Sequence, residues 1–171
     1  KTVRAYNIKI LFVSSKESVD KLQKLLTDVQ VIWCPEEIRN CNYMPADYSN
    51  KDIDVIQIGR KYDIWHDKVS EKLKQLNINY LYENVKGEVF FKKRSEFLNG
   101  LGRSKISICF PKYITHQQHS GGLSTMTNRY LQSLASKCLI LGLIPEEMKE
   151  LFGYDPGITV DMKYPVEQII E

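Results

Sequence analysis

The 171-residue sequence has no apolar stretch approaching the roughly 20 residues of a membrane-spanning helix, and no secretory apolar region opens it. Neither a transmembrane segment nor an export signal is therefore expected. The cytoplasm is the natural compartment, with peripheral association at a membrane still open. Cysteine is sparse. Cys34, Cys41, Cys109 and Cys138 form no C-x-x-C pair, which excludes the common zinc and dithiol patterns, and two of the four fall inside apolar runs where a small buried hydrophobe suffices. All four are expected to be reduced and structural. No internal repeat or low-complexity tract is present. Nor does charge of one sign dominate: the formal net charge is +3, with lysines interleaved among acids, so no nucleic-acid-binding stripe is indicated. The first residue is Lys1 rather than Met, so an excised or ordered fragment is expected.

What is present is a recurring unit, a short apolar run followed by an amphipathic stretch, the βα alternation of a mostly parallel sheet. The expected fold class is α/β, a Rossmann-like sheet with helices on both faces. A strand over 8–13 (IKILFV) leads into a helix carrying Val19, Leu22, Leu25 and Leu26, and a second strand over 29–33 closes at Pro35. Residues 35–51 break the pattern with Pro, Asn, Asp, Tyr and Ser, which marks a linker or lobe boundary. A second series starts with a strand over 54–58, ends at Gly59 and Arg60, and continues with a helix around 67–75. Strands follow over 78–82 and 89–91, then a helix over 94–103 with Ser95 near its N-cap, then a buried strand over 106–110 closed by Pro111. The polar, glycine-bearing segment 112–124 precedes a helix expected from about Thr125 to Lys137. A strand over 138–143, a helix opened by Pro145 and closed by Gly153, an edge strand over 158–160 and a helix from Pro165 complete the series. The chain can bury one full core, or one α/β domain plus a piece of another.

The helix near 126–137 is the most informative element for chemistry. Projected at 100° per residue, it puts Met126, Tyr130, Leu131, Leu134 and Ala135 on one side and Asn128, Arg129, Gln132, Ser133 and Ser136 on the other. A solvent face would more often carry Glu and Lys, so neutral hydrogen-bonding groups point to a ligand. Gly121 and Gly122 followed by Ser124 and Thr125 at a helix start suit an anion, through close backbone approach and the positive end of the helix; an ordinary turn is the alternative. Gly59 and Arg60 occupy the first strand-to-helix turn of the second series, where a phosphate clamp belongs in a doubly wound sheet, although a surface arginine explains Arg60 equally well. His116 and His119 flank two glutamines off any helix, with no carboxylate or Cys nearby. That is poor metal-site chemistry. Both histidines are candidate donors to a phosphate or sugar, His119 among the site residues, although plain loop surface is the commoner role for such residues. His66, beside Trp65, reads as structural.

The stretches LGRSKISI at 101–108 and TNRYLQSLASKCLIL at 127–141, joined by a proline and a glycine-bearing loop, resemble the GT-B glycosyltransferases with two Rossmann-like lobes, especially the group 1 and CgeB-like members. The resemblance implies that 1–45 is the last βα unit of an acceptor lobe plus the interlobe crossing, and that 46–171 is the donor lobe. It further implies transfer of a sugar from a nucleoside diphosphate sugar to an acceptor (glycan, lipid or protein), without cofactor or metal. The nucleotide-sugar site it implies is built from Gly59, Arg60, His119, Gly121, Gly122, Ser124, Thr125, Asn128, Arg129 and Gln132. Catalytic bases in the family usually come from the other lobe, so binding without turnover is expected of this chain alone. Two positions depart from the pattern: Gln132 stands where a ribose-binding Glu is expected, and Lys137 where Gly is usual. The departure at 132 keeps a non-catalytic nucleotide-binding module in view. A receiver-like interaction module is the other alternative, with Asp52 and Asp54 as its only candidate acids.

Overall fold

The computed structural model of the chain describes residues 2–59, 61–83 and 91–164. A short helix α1 (Thr2–Ala5) precedes strand β1 (Ile10–Val13), helix α2 (Lys16–Leu25) and strand β2 (Gln30–Trp33). β1 and β2 pair in parallel, Ile10 opposite Gln30 and Val13 opposite Trp33. Gln23 on α2 ties this unit together. Its amide donates to the Val29 carbonyl (2.9 Å), and its oxygen accepts from the Val31 N–H (3.0 Å). Phe12 is left 63% exposed and Ile10 48% exposed, so this small sheet remains open on one side.

After two single turns of 3-10 helix in the connecting segment, the second series runs β3 (Ile53–Gln57), α3 (Asp63–Gln75), β4 (Tyr80–Tyr82), α4 (Arg94–Gly102), β5 (Ser104–Cys109), α5 (Lys112–Thr115), α6 (Gln117–Ser120), α7 (Asn128–Ala135), β6 (Leu139–Gly142), α8 (Glu146–Phe152) and β7 (Ile158–Thr159). The five strands form one all-parallel sheet in the order β4-β3-β5-β6-β7. This is a Rossmann-like α/β fold. The chain runs outward from β3 to β4, then returns past β3 to β5, which makes the β3/β5 boundary the switch point of the sheet.

Period-2 alternation divides the strand side chains between two faces. Val55, Ile108 and Leu141 meet Trp65, Val69 and Leu73 of α3 on one. On the other, Cys109 and Ile140 meet Tyr130 and Met148 of α7 and α8, while Ile56 meets Leu101 of α4. Burying each such side chain contributes about 1.5–3 kcal/mol, which is what fixes the strand faces and with them the helix positions. At the edge where the strands begin, the buried Lys51 ammonium donates to the carbonyls of Ser104 (2.6 Å) and Ser136 (2.9 Å). Burial pushes its pKa down.

Several expected boundaries move. α4 starts at Arg94 as expected, but its N-cap is Lys93 rather than Ser95, because Glu96 reaches back to accept the Lys92 and Lys93 N–H groups (3.1 and 3.3 Å). α7 starts at Asn128 rather than Thr125, and 112–120 is folded into two short helices. α3 begins four residues before 67. α8 follows Pro145 and ends at Gly153 in the left-handed region, as expected. The strand expected over 89–91 and the helix expected from Pro165 fall mainly or wholly outside the described residues. Among the described residues no helix is long and apolar enough to cross a membrane. All four cysteines are free, Cys34 and Cys41 exposed, Cys109 and Cys138 buried; burial raises the Cys138 thiol to about 11.

Candidate functional site

A cleft of about 390 Å3 opens beside the switch point. It is lined by Glu36 from the β2–β3 connection, Ile58 just past β3, Phe97 and Leu101 of α4, and Thr127, Asn128, Arg129 and Gln132 at the start of α7. Its volume suits a small molecule, and its place beyond the strand ends is where open parallel sheets bind ligands. One wall is apolar and the other carries hydrogen-bonding groups.

α7 supplies the polar wall because its other side is committed to the core. Tyr130 is fully buried, and its hydroxyl donates to the Leu143 carbonyl (2.8 Å), which fixes the rotation of the helix. Asn128, Arg129 and Gln132 are thereby left facing the cleft. Ser133 and Ser136, expected on the same polar side, are instead buried against the sheet. The Ser133 hydroxyl lies 2.8 Å from that of Ser107 and 2.9 Å from the Arg129 carbonyl. Ser133 lies next to Met126 in the helical projection, nearer to the apolar stripe than a two-sided division of the helix allows, and a small hydroxyl that bonds its own surroundings can be buried at little cost; Ser136 is the C-cap of α7.

Arg129 is half-buried, and its guanidinium has no carboxylate partner among the described residues. It lies against Gly59. A Cβ built at Gly59 would stand 2.6 Å from Nη2 and 3.5 Å from Cζ, and φ there is +73°. Glycine thus serves both the turn and the seat of the guanidinium. The helix start beside it is also open: no side chain caps α7 at Thr127. Uncapped N–H groups, the positive end of the helix and a guanidinium converge on one cleft, an arrangement that attracts an anion.

Gly121, Gly122, Ser124 and Thr125 do not line this cleft. The Ser124 N–H donates to Glu17 (3.0 Å), and the Thr125 hydroxyl (2.8 Å) and Met126 N–H both donate to Glu147, whose other oxygen accepts the Lys16 N–H (2.8 Å). Of the donors expected to hold an anion, the Ser124 N–H and the Thr125 hydroxyl are held by the protein's own carboxylates, and the Gly122 N–H by the Ser120 hydroxyl (3.3 Å). Lys21 and the Ser124 N–H keep the Glu17 carboxyl below its ordinary range. His119 belongs to α6, but its side chain, like all of Arg60, lies outside the described residues. The cleft residues that sequence reading missed are Glu36, Ile58, Phe97, Leu101 and Thr127.

His66 is on the other face of the sheet. Tyr80 donates its hydroxyl proton to Gln57 (2.6 Å), so the His66 Nδ1 at 3.0 Å from that hydroxyl is the donor. Burial lowers the His66 pKa, assisted by Lys61, and raises that of Tyr80 far above the ordinary phenol value. The two acids a receiver-like site would need are at the opposite edge and already engaged. Arg103 Nε donates to Asp52 (2.7 Å), and Lys105 pairs with Asp54 (2.7 Å), holding its carboxyl low.

No family model, curated protein or solved structure matches the chain. Among the described residues, no group of three His, Cys, Asp or Glu side chains is disposed to hold a metal.

Proposed function

We propose that this chain is the donor-binding part of a glycosyltransferase that transfers a sugar from a nucleoside diphosphate sugar to an acceptor on a glycan, lipid or protein. The observation that carries the reading is the half-buried, unpaired Arg129 guanidinium beside the uncapped start of α7, in a cleft at the switch point of a parallel sheet. In sugar transfer the bond from the anomeric carbon to the diphosphate breaks, and negative charge gathers on the departing oxygen. A fixed cation and helix N–H groups at that oxygen stabilise the charge as it develops. The separate β1–β2 sheet supports assigning 1–45 to a second lobe and its crossing.

Titration with UDP and GDP tests the binding half of this reading, and sugar release from a labelled donor tests the transfer half. Binding is expected for one of the two nucleotides, with Arg129→Met weakening it by about 10- to 100-fold, the usual value of a charge-assisted bond to phosphate. An unchanged affinity in that variant sinks the reading. A second reading, a nucleotide-binding module without transfer, is favoured by the neutral Gln132, since α7 brings no carboxylate to the cleft. Binding with no transfer, even alongside a supplied second lobe, would select it.

A further inference from the structure

We infer that Glu36, arriving from the connection between the two sheets, binds the ribose hydroxyls of the nucleotide and sets which way round the ligand lies. The inference rests on the reading of the cleft as a nucleotide site, and goes beyond it by assigning a residue on a different part of the chain.

Glu36 is the one carboxylate among the residues lining the cleft. It is half-buried, and among the described residues it has neither a hydrogen-bond donor nor a cationic partner. It does not pair with Arg129 although both line the same space. A partly desolvated carboxylate without donors is unfavourable on its own, and so is a partly desolvated guanidinium. Each is satisfied by a ligand that carries an anion at one end and hydroxyl donors at the other. An ionised carboxylate accepts only, with two oxygens spaced to receive two adjacent hydroxyls. The same charge repels phosphate, so a nucleotide lies with its diphosphate towards Arg129 and α7 and its ribose diol towards Glu36. Gln132, a neutral amide on the α7 wall, cannot make charge-assisted bonds to that diol. Ile58, Phe97 and Leu101 leave an apolar surface for the remainder of the ligand. The position of Glu36 is stiffened by Pro35 directly before it, whose ring fixes φ and restricts Cys34.

The test is calorimetric titration of the whole chain with three probes: UDP or GDP, whichever binds; its 2′,3′-dideoxy analogue; and inorganic pyrophosphate. Wild type is expected to prefer the diol over the dideoxy nucleotide by about tenfold or more, the usual value of hydrogen bonds to a charged group. In Glu36→Gln that preference collapses, while pyrophosphate binds as well as before or more tightly because a like charge has gone. In Glu36→Gln/Gln132→Glu the preference returns in part, which shows that the loss was one of ribose recognition rather than of folding. Equal preference for the diol in wild type and Glu36→Gln overturns the inference while leaving the nucleotide site standing. Failure of wild type to bind any of the three probes overturns both.

Discussion

Residues 124–126 and 127–129 lie side by side before and at the start of α7, and both present hydrogen-bond donors, yet one set is taken by carboxylates and the other is open. In the first, Glu17 and Glu147 take the N–H groups of Ser124 and Met126 and the Thr125 hydroxyl. In the second, no side chain caps the helix and Arg129, in a cleft, has no carboxylate partner among the described residues. Filled donors stitch the molecule together; open ones are available to a ligand. Anion-binding capacity therefore depends less on glycine-rich sequence than on whether the protein brings its own carboxylates to the same place.

The strongest way to break this contrast is to empty the filled set. Glu147 is buried and accepts from Lys16, Thr125 and Met126, so it joins α2, the loop and α8. Glu147→Ala leaves these donors without their acceptor and is expected to cost about 2–4 kcal/mol of stability, read from urea unfolding. Nucleotide affinity of the folded variant should stay within about twofold of wild type. If affinity falls as far as in Arg129→Met, the loop is part of the ligand site and the contrast fails.

The glycines offer a narrower comparison. Gly59 and Gly121 both have positive φ, +73° and +60°, so alanine strains the backbone at each by about 1 kcal/mol. They differ in what surrounds them. A Cβ at Gly59 collides with the Arg129 guanidinium, whereas at Gly121 nothing among the described residues lies within 4 Å. Gly59→Ala is expected to lower nucleotide affinity by about tenfold as Arg129 is displaced, because the lost contact is charge-assisted. Gly121→Ala should lower stability alone. Equal affinities in the two variants would mean that the seat of Arg129 on Gly59 is immaterial to binding.

The βα order was legible from sequence because apolar runs with period 2 and helices with period 3.6 are local signals. A mostly parallel sheet followed from them, and so did the place of Asn128, Arg129 and Gln132 on the polar side of α7. What escaped had its cause elsewhere in the chain. Nothing near Thr125 announces that Glu147, 22 residues on, will take its hydroxyl, so the helix start was expected too early. Glu36 reaches the cleft from a segment more than 90 residues before α7 in sequence, and Phe97 and Leu101 reach it on a neighbouring helix. Periodicity assigns a face, but it does not say what packs against that face. Ser133 marks the same limit, because its hydroxyl looks solvent-facing until Ser107 is placed beside it.

The far end of α7 gives the smallest expected effect and the cleanest control. Lys137 has φ +52°. Its N–H donates to the Leu134 carbonyl (2.9 Å), and the Cys138 N–H donates to that of Ser133 (2.9 Å), the pair of bonds that closes a helix through a left-handed residue. That position favours glycine, so the departure from the expected Gly at 137 carries a backbone cost that its exposed side chain does not offset through any ion pair or hydrogen bond of its own among the described residues. Lys137→Gly is expected to stabilise the chain by about 0.5–1 kcal/mol, after the extra freedom glycine has in the unfolded state is subtracted, and to raise the melting temperature by about 1–4 °C. Because the Lys137 carbonyl is retained, its bond from Lys51 (3.2 Å) persists. Nucleotide affinity should not move, since the cleft sits at the opposite end of the helix. A change in affinity without a change in melting temperature would mean that the two ends of α7 are coupled through the helix, and that its open start is not an independent anion site.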